Sequence, residues 1–129
     1  MKYILMMNNM SRGPAYAGVS GWQPNDIQVH TVYLKNLTKS IKESGELVSV
    51  EGLALADEAL IVRAGNDGAP ISDGAFPENR EFLAGYWVVN VESPERACQI
   101  AAHASAAPGP GGAILNMPIE VRRVMENRG

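Results

Sequence analysis

Apolar positions along the chain change period several times, and each change marks an element. Tyr3 to Met7 is a continuous apolar run, which predicts a strand buried on both faces and therefore central in its sheet. After Asn25 and Asp26, either of which can cap a helix, Ile27, His30, Leu34, Leu37 and Ile41 recur at three- and four-residue spacing. That spacing predicts one buried helical face, with Lys35, Lys39, Lys42 and Glu43 turned to water and Gly45 ending the helix. Residues 46–53 (ELVSVEGL) and 60–64 (LIVRA) read as strands, and Asn66-Asp67-Gly68 reads as a hairpin turn leading into Pro70-Ile71-Ser72 and on to Asp73. An irregular turn over 74–80 then feeds the most apolar strand of the chain, 82–92. Its odd positions Leu83, Gly85, Trp87, Val89 and Val91 are all apolar, and its even positions include Phe82, Tyr86 and Val88.

Ser93-Pro94-Glu95 is a helix start, with serine as the cap and proline at the first helical position. Ala97, Ile100, Ala101 and Ala104 give that helix a narrow face suited to close packing on a sheet. Cys98 beside the face reads as inert packing, and His103 in the last turn as a residue favoured by the helix dipole. The run from Ala107 to Ala113 (APGPGGA) can only be a loop, and Ile119 to Met125 closes the chain as a strand that places Glu120 and Arg122 on one side. Residues 8–24, with three glycines and two prolines and no regular period, are expected to form a long loop.

In this order the elements predict an α+β domain spanning 1–129: a ferredoxin-like split β-α-β arrangement, an antiparallel sheet with two helices on one face. Phe82, Tyr86 and Val88 would leave the other face too apolar for water. A second copy is expected to cover it, giving a homodimer of the dimeric α/β-barrel type with a cavity between the sheets.

Composition narrows the partners. The 129 residues are 46% hydrophobic and 19% charged, ordinary for a folded domain, and the net charge of −3 supplies no general attraction to nucleic acid or to an anionic membrane. A single cysteine excludes an intramolecular disulfide and fits a reducing cytoplasm. The apolar run after Lys2 is too short for a signal peptide or a membrane span.

Candidate chemistry concentrates in two places. Asp73, Glu78 and Glu81 put three carboxylates around Arg80 just before a buried strand, where desolvation and a neighbouring guanidinium can poise a general base. Glu120 and Arg122, two apart on a strand, could present an anion-binding group beside a carboxylate. The plain alternative for both is an ion-pair network that fixes the hairpin and the last strand. His30, the polar member of an apolar stripe, is either a core-edge histidine with one backbone partner or a group directed into a pocket. No phosphate-binding glycine loop, nucleophile elbow or two-histidine metal motif occurs, so neither a cofactor nor a metal is expected.

The segment Asp73-Gly74-Ala75-Phe76-Pro77-Glu78-Asn79-Arg80-Glu81 resembles the motif DGPFAETKE of the DGPF-domain, YCII-related proteins. Flanking features follow in order over about two-thirds of the chain: Gly45-Glu46-Leu47, Glu51-Gly52-Leu53, Leu83-Ala84-Gly85-Tyr86, Ala97 and Ala101, and Ile119-Glu120-Val121-Arg122. Ala75 stands in place of the motif's proline and Arg123 in place of a proline near the end. The resemblance implies a histidine and aspartate pair, with Asp73 in the carboxylate role and His30 as its helper. Arg80, Glu81, Glu120 and Arg122 would then bind substrate. It implies a cofactor-independent lyase or isomerase acting on a small organic molecule, or alternatively a non-catalytic dimeric module that binds a ligand or partner in association with sigma-factor regulation. Two structural features separate them: a sealed dimer interior with no cavity would favour the binding module, and so would the pairing of two side chains on the last strand. In the binding module Glu120 and Arg122 pair with each other or with the motif; in the enzyme they face open space.

Overall fold

The computed structural model describes residues 1–10, 22–75 and 81–126. Among these residues six strands and two α-helices follow in the order β1 (Lys2–Met10), α1 (Pro24–Glu43), β2 (Leu47–Gly52), β3 (Leu60–Ala64), β4 (Pro70–Ala75), β5 (Glu81–Asn90), α2 (Pro94–Ser105) and β6 (Ile119–Arg123). β2, β5, β1 and β6 form one sheet in that spatial order, with every neighbouring pair antiparallel, and β3 and β4 form a separate hairpin. The α+β fold with this sheet and two helices is compatible with a ferredoxin-like architecture. The predicted strand at the N-terminus is central, as its apolar run requires.

One core joins the two helices to one side of the sheet. Tyr3 and Leu5 of β1 and Trp87 and Val89 of β5 meet Leu37 and Ile41 of α1 and Ala97, Ile100, Ala101 and Ala104 of α2. Met7, Leu34, Leu47, Ile119 and Val121 pack around them. The alanine face of α2 does what its composition predicts, since small side chains let the helix settle onto β1 and β6. Trp87 is buried with its polar atom satisfied, the indole N–H donating to Thr38 Oγ1 at 3.1 Å. We call the helix-bearing side of the sheet the core face and the other side the open face.

Two irregularities set which residue lies on which face. The β1–β5 ladder pairs Met7 with Gly85 but Asn8 with Leu83, so Ala84 is the extra residue of a bulge. Beyond it the alternation of β5 is inverted. Leu83 shares the open face with Asn8, while Phe82, opposite Asn9, turns to the core side and is buried. Strict alternation predicts Phe82 beside Tyr86 and Val88; the bulge removes it from that set. A second shift between Leu47 and Ser49 leaves Val48 as the extra residue of β2.

The remaining boundaries show where local chemistry was misread. Asn8 to Met10 continue β1, and Pro24 opens α1, so the expected loop is shorter than 8–24; residues 11–21 lie outside the described ones. The helix cap is Gln23, without a side-chain bond, and the helix opens at Pro24, so Asn25 and Asp26 fall within its first turn; the Asp26 carboxylate accepts the Gly111 N–H at 3.2 Å. Gly45 ends α1 with φ 82°, and Ser93 caps α2 by accepting the Arg96 N–H at 3.2 Å, both as the sequence predicts. Cys98 is exposed rather than packed, because it falls one step past Ala97 onto the outer side of α2. The closing strand, expected to run to Met125, ends at Arg123, and Met125 beyond it is exposed.

Candidate functional site

Antiparallel partners project to the same side of a sheet, so the ladders line the open face with two rows that cross all four strands. One row runs Glu51, Tyr86, Met6, Glu120; the next runs Ser49, Val88, Ile4, Arg122. The centre of each row is apolar and half-buried, and its ends are polar and exposed. A surface of this kind suits a small organic molecule with an apolar body and a polar edge.

The polar edge on β6 is organised. Glu120 Oε1 accepts from Asn8 Nδ2 at 3.3 Å, and Glu120 Oε2 lies 3.7 Å from Arg122 Nε. The Arg122 and Glu120 side chains remain 70% and 47% exposed, so this is a solvated pair with its remaining guanidinium N–H groups available. Both residues were legible as a same-side pair. Asn8 was not, because it was assigned to a loop; the signal available was that it continues the even positions of β1.

His30 sits on the other side of the sheet. It belongs to the α1 face that packs towards the core, and its Nδ1 lies 3.0 Å from the Pro108 carbonyl. A carbonyl can only accept, so Nδ1 carries the hydrogen and Nε2 is the remaining nitrogen. The Trp22 ring meets the imidazole edge-on, with centroids 5.3 Å apart. Together with Asp26 to Gly111, and with the Tyr33 hydroxyl donating to the His103 carbonyl at 2.8 Å, these contacts clamp α1 to the end of α2 and the segment that follows it. The sheet therefore stands between His30 and the Glu120–Arg122 pair of the same chain.

The motif is only partly described. Asp73 lies on β4 and its side chain is outside the described ones, as are Glu78 and Arg80 entirely. Glu81 opens β5 opposite Met10 and is exposed. Among the described residues the carboxyl with a clearly lowered pKa is Glu46, outside the two clusters that the sequence points to. Arg96 donates through Nε and Nη2 to both oxygens of Glu46, and Ser44 Oγ adds a bond at 2.7 Å. These hold the Glu46 carboxyl down at about 2 and raise the Arg96 guanidinium further. The pair joins the end of α1 to the start of α2 and is structural in position. Among the described residues no group of three or more histidine, cysteine, aspartate or glutamate side chains could hold a metal ion, and no helix is long and apolar enough to cross a membrane. Compared with known protein families and with curated proteins, the chain matches no family model and no curated sequence.

Proposed function

We propose that the protein is a cytoplasmic, homodimeric binding module of the YCII-related type. Two copies turn their open sheet faces towards each other in the manner of a dimeric α/β barrel, and a small organic molecule is held between them. The observation that carries this reading is the solvated pair of Glu120 and Arg122 on the open face, with Asn8 as third member. Pairing of these two residues is one of the two features that favour the binding module over the enzyme. The position of His30 supports the same choice, since its Nδ1 hydrogen bond goes to Pro108 on the far side of the sheet. The half-buried centre of Ile4, Met6, Tyr86 and Val88 supplies apolar contact, and Arg122 favours a ligand with an anionic edge. By the same family resemblance, the setting would be regulation linked to extracytoplasmic-function sigma factors.

Titration with the fluorescent anion 8-anilinonaphthalene-1-sulfonate tests the site. Saturable binding at a fixed stoichiometry is expected, weakened at least tenfold by Tyr86→Ala and by Arg122→Ala. Equal binding by all three proteins would remove the open face from consideration. Turnover of a chlorinated acid or a lactone by the wild type, abolished in Asp73→Asn, would replace the binding module with the lyase or isomerase reading.

A further inference from the structure

β6 closes the main sheet on one side. Among the described residues β1 is its one strand neighbour, so its outer edge carries backbone groups that no strand meets. The ladder shows which groups these are. Val124 donates its N–H to the Lys2 carbonyl at 2.9 Å, so the even positions Glu120 and Arg122 turn their N–H and C=O towards β1. Ile119, Val121 and Arg123 turn theirs outward. The side chains of these three lie on the core face, where Ile119 and Val121 are only partly covered.

We propose that this edge pairs with the same edge of a second copy, antiparallel about a two-fold axis at Val121, joining two four-stranded sheets into one continuous sheet. Val121 then exchanges both backbone hydrogen bonds with Val121 of the second copy, and Ile119 exchanges both with Arg123 of that copy. Glu120 lies directly opposite the second copy's Arg122, and Arg122 opposite its Glu120. The inference goes beyond the open-face dimer and uses a different surface. It also brings a residue of the second copy, Glu120, to the polar edge of each binding face.

The charges on the strand identify both the occupant and the register. Outward backbone groups face each other only when the axis passes through a residue and not between two. An axis at Glu120 sets carboxylate against carboxylate, and one at Arg122 sets guanidinium against guanidinium. Axes at the end residues leave most of the strand unpaired. Val121 is the centre that pairs the whole strand, and there each open-face charge meets its opposite, at positions where cross-strand side chains stand closest. Charges on an edge strand ordinarily keep other strands away. Here they admit a strand with a base opposite Glu120 and an acid opposite Arg122, which is the order β6 itself has when reversed. The opposite edge of the sheet lacks this property: β2 carries one charged residue, Glu51, and cannot pair it with a cation of its own copy in any register. A ladder of five residues is smaller than a permanent interface, so the association is reversible and depends on concentration.

The test uses the full chain in sedimentation velocity from micromolar to millimolar concentration. Glu120→Arg opposes guanidinium groups across the axis, and Arg122→Glu opposes carboxylates. With both variants folded by circular dichroism, each alone is expected to associate at least tenfold more weakly than the wild type. Mixed in equal amounts they are expected to associate as the wild type does, because every pair across the axis is then a carboxylate facing a guanidinium, while the pairs within each chain stay like-charged. In hydrogen exchange the Val121 amide of the wild type is expected to slow at least tenfold on association. An unchanged Val121 exchange rate in an associated wild type, or folded variants that stay apart when mixed, overturns the edge pairing and leaves the open-face dimer standing. A wild type that is monomeric at every concentration overturns both.

Discussion

Arg96 grips Glu46 as a fork, with Nε 2.9 Å from one carboxylate oxygen and Nη2 2.8 Å from the other. Since Glu46 directly follows the turn that ends α1 and Arg96 lies in the first turn of α2, the two helices are tied at one end by a charge-assisted pair. The carboxyl is only 18% exposed and the guanidinium 37%, which places the pair between a solvated and a buried one.

Acid should release it. The folded Glu46 titrates at about 2, below its ordinary 4.5, so its contribution to stability is fully present above pH 4.5 and is lost as the pH falls towards 2. With allowance for solvent screening, Glu46→Gln should cost about 1–2 kcal/mol at pH 7 and nearly nothing at pH 2. Urea denaturation at the two pH values measures this; an equal loss at both would show that the pair contributes through shape and not charge.

His30→Ala should separate structure from binding. The substitution removes a hydrogen bond to the Pro108 carbonyl and the edge contact with Trp22, at a cost of about 1 kcal/mol. Affinity for the anilinonaphthalene dye should stay within twofold of wild type, because the sheet separates His30 from the open face. A large loss of affinity at preserved stability would instead put His30 at the ligand.

Glu120→Gln should scarcely alter stability. Its partner is solvated and 3.7 Å away, so the change expected in thermal unfolding corresponds to less than about 0.5 kcal/mol. Freed from its carboxylate neighbour, Arg122 should bind the dye anion more tightly. Weaker binding would indicate that Glu120 itself positions the ligand.

Gly85→Ala should weaken the join between β5 and β2. A Cβ at this position would stand 3.0 Å from the Glu51 carbonyl oxygen, a backbone atom that cannot swing aside. A loss of about 1–2 kcal/mol is expected, within the range for overpacking a tight site, and denaturant unfolding checks it.

Much of the fold was legible because its elements announce themselves locally. The three- and four-residue stripe of α1, the Ser93-Pro94 start of α2 and the glycine turn of the hairpin are all decided within a few neighbours. Phe82 was misplaced because a bulge is an agreement between two strands distant in sequence, and alternation in β5 alone cannot reveal it. Asp26 lies inside the first turn because the helix opens at Pro24, and the destination of its carboxylate, the Gly111 N–H far along the chain, has no local signal. Within the site, Glu120 and Arg122 could be paired from their spacing, whereas Asn8 reaches them only through the β1–β6 ladder. His30 could be assigned to its face but not to its partner, since Pro108 lies in a segment with no period to follow.

The bulge at Ala84 has a mechanical side. Its displaced carbonyl accepts the Leu53 N–H at 2.9 Å, just beyond the last residue of β2. That bond carries the ladder one residue past β2, so the connection to the hairpin begins from a backbone still held to the four-stranded sheet. In hydrogen–deuterium exchange the Leu53 amide should mark the step between slow and fast positions along this connection.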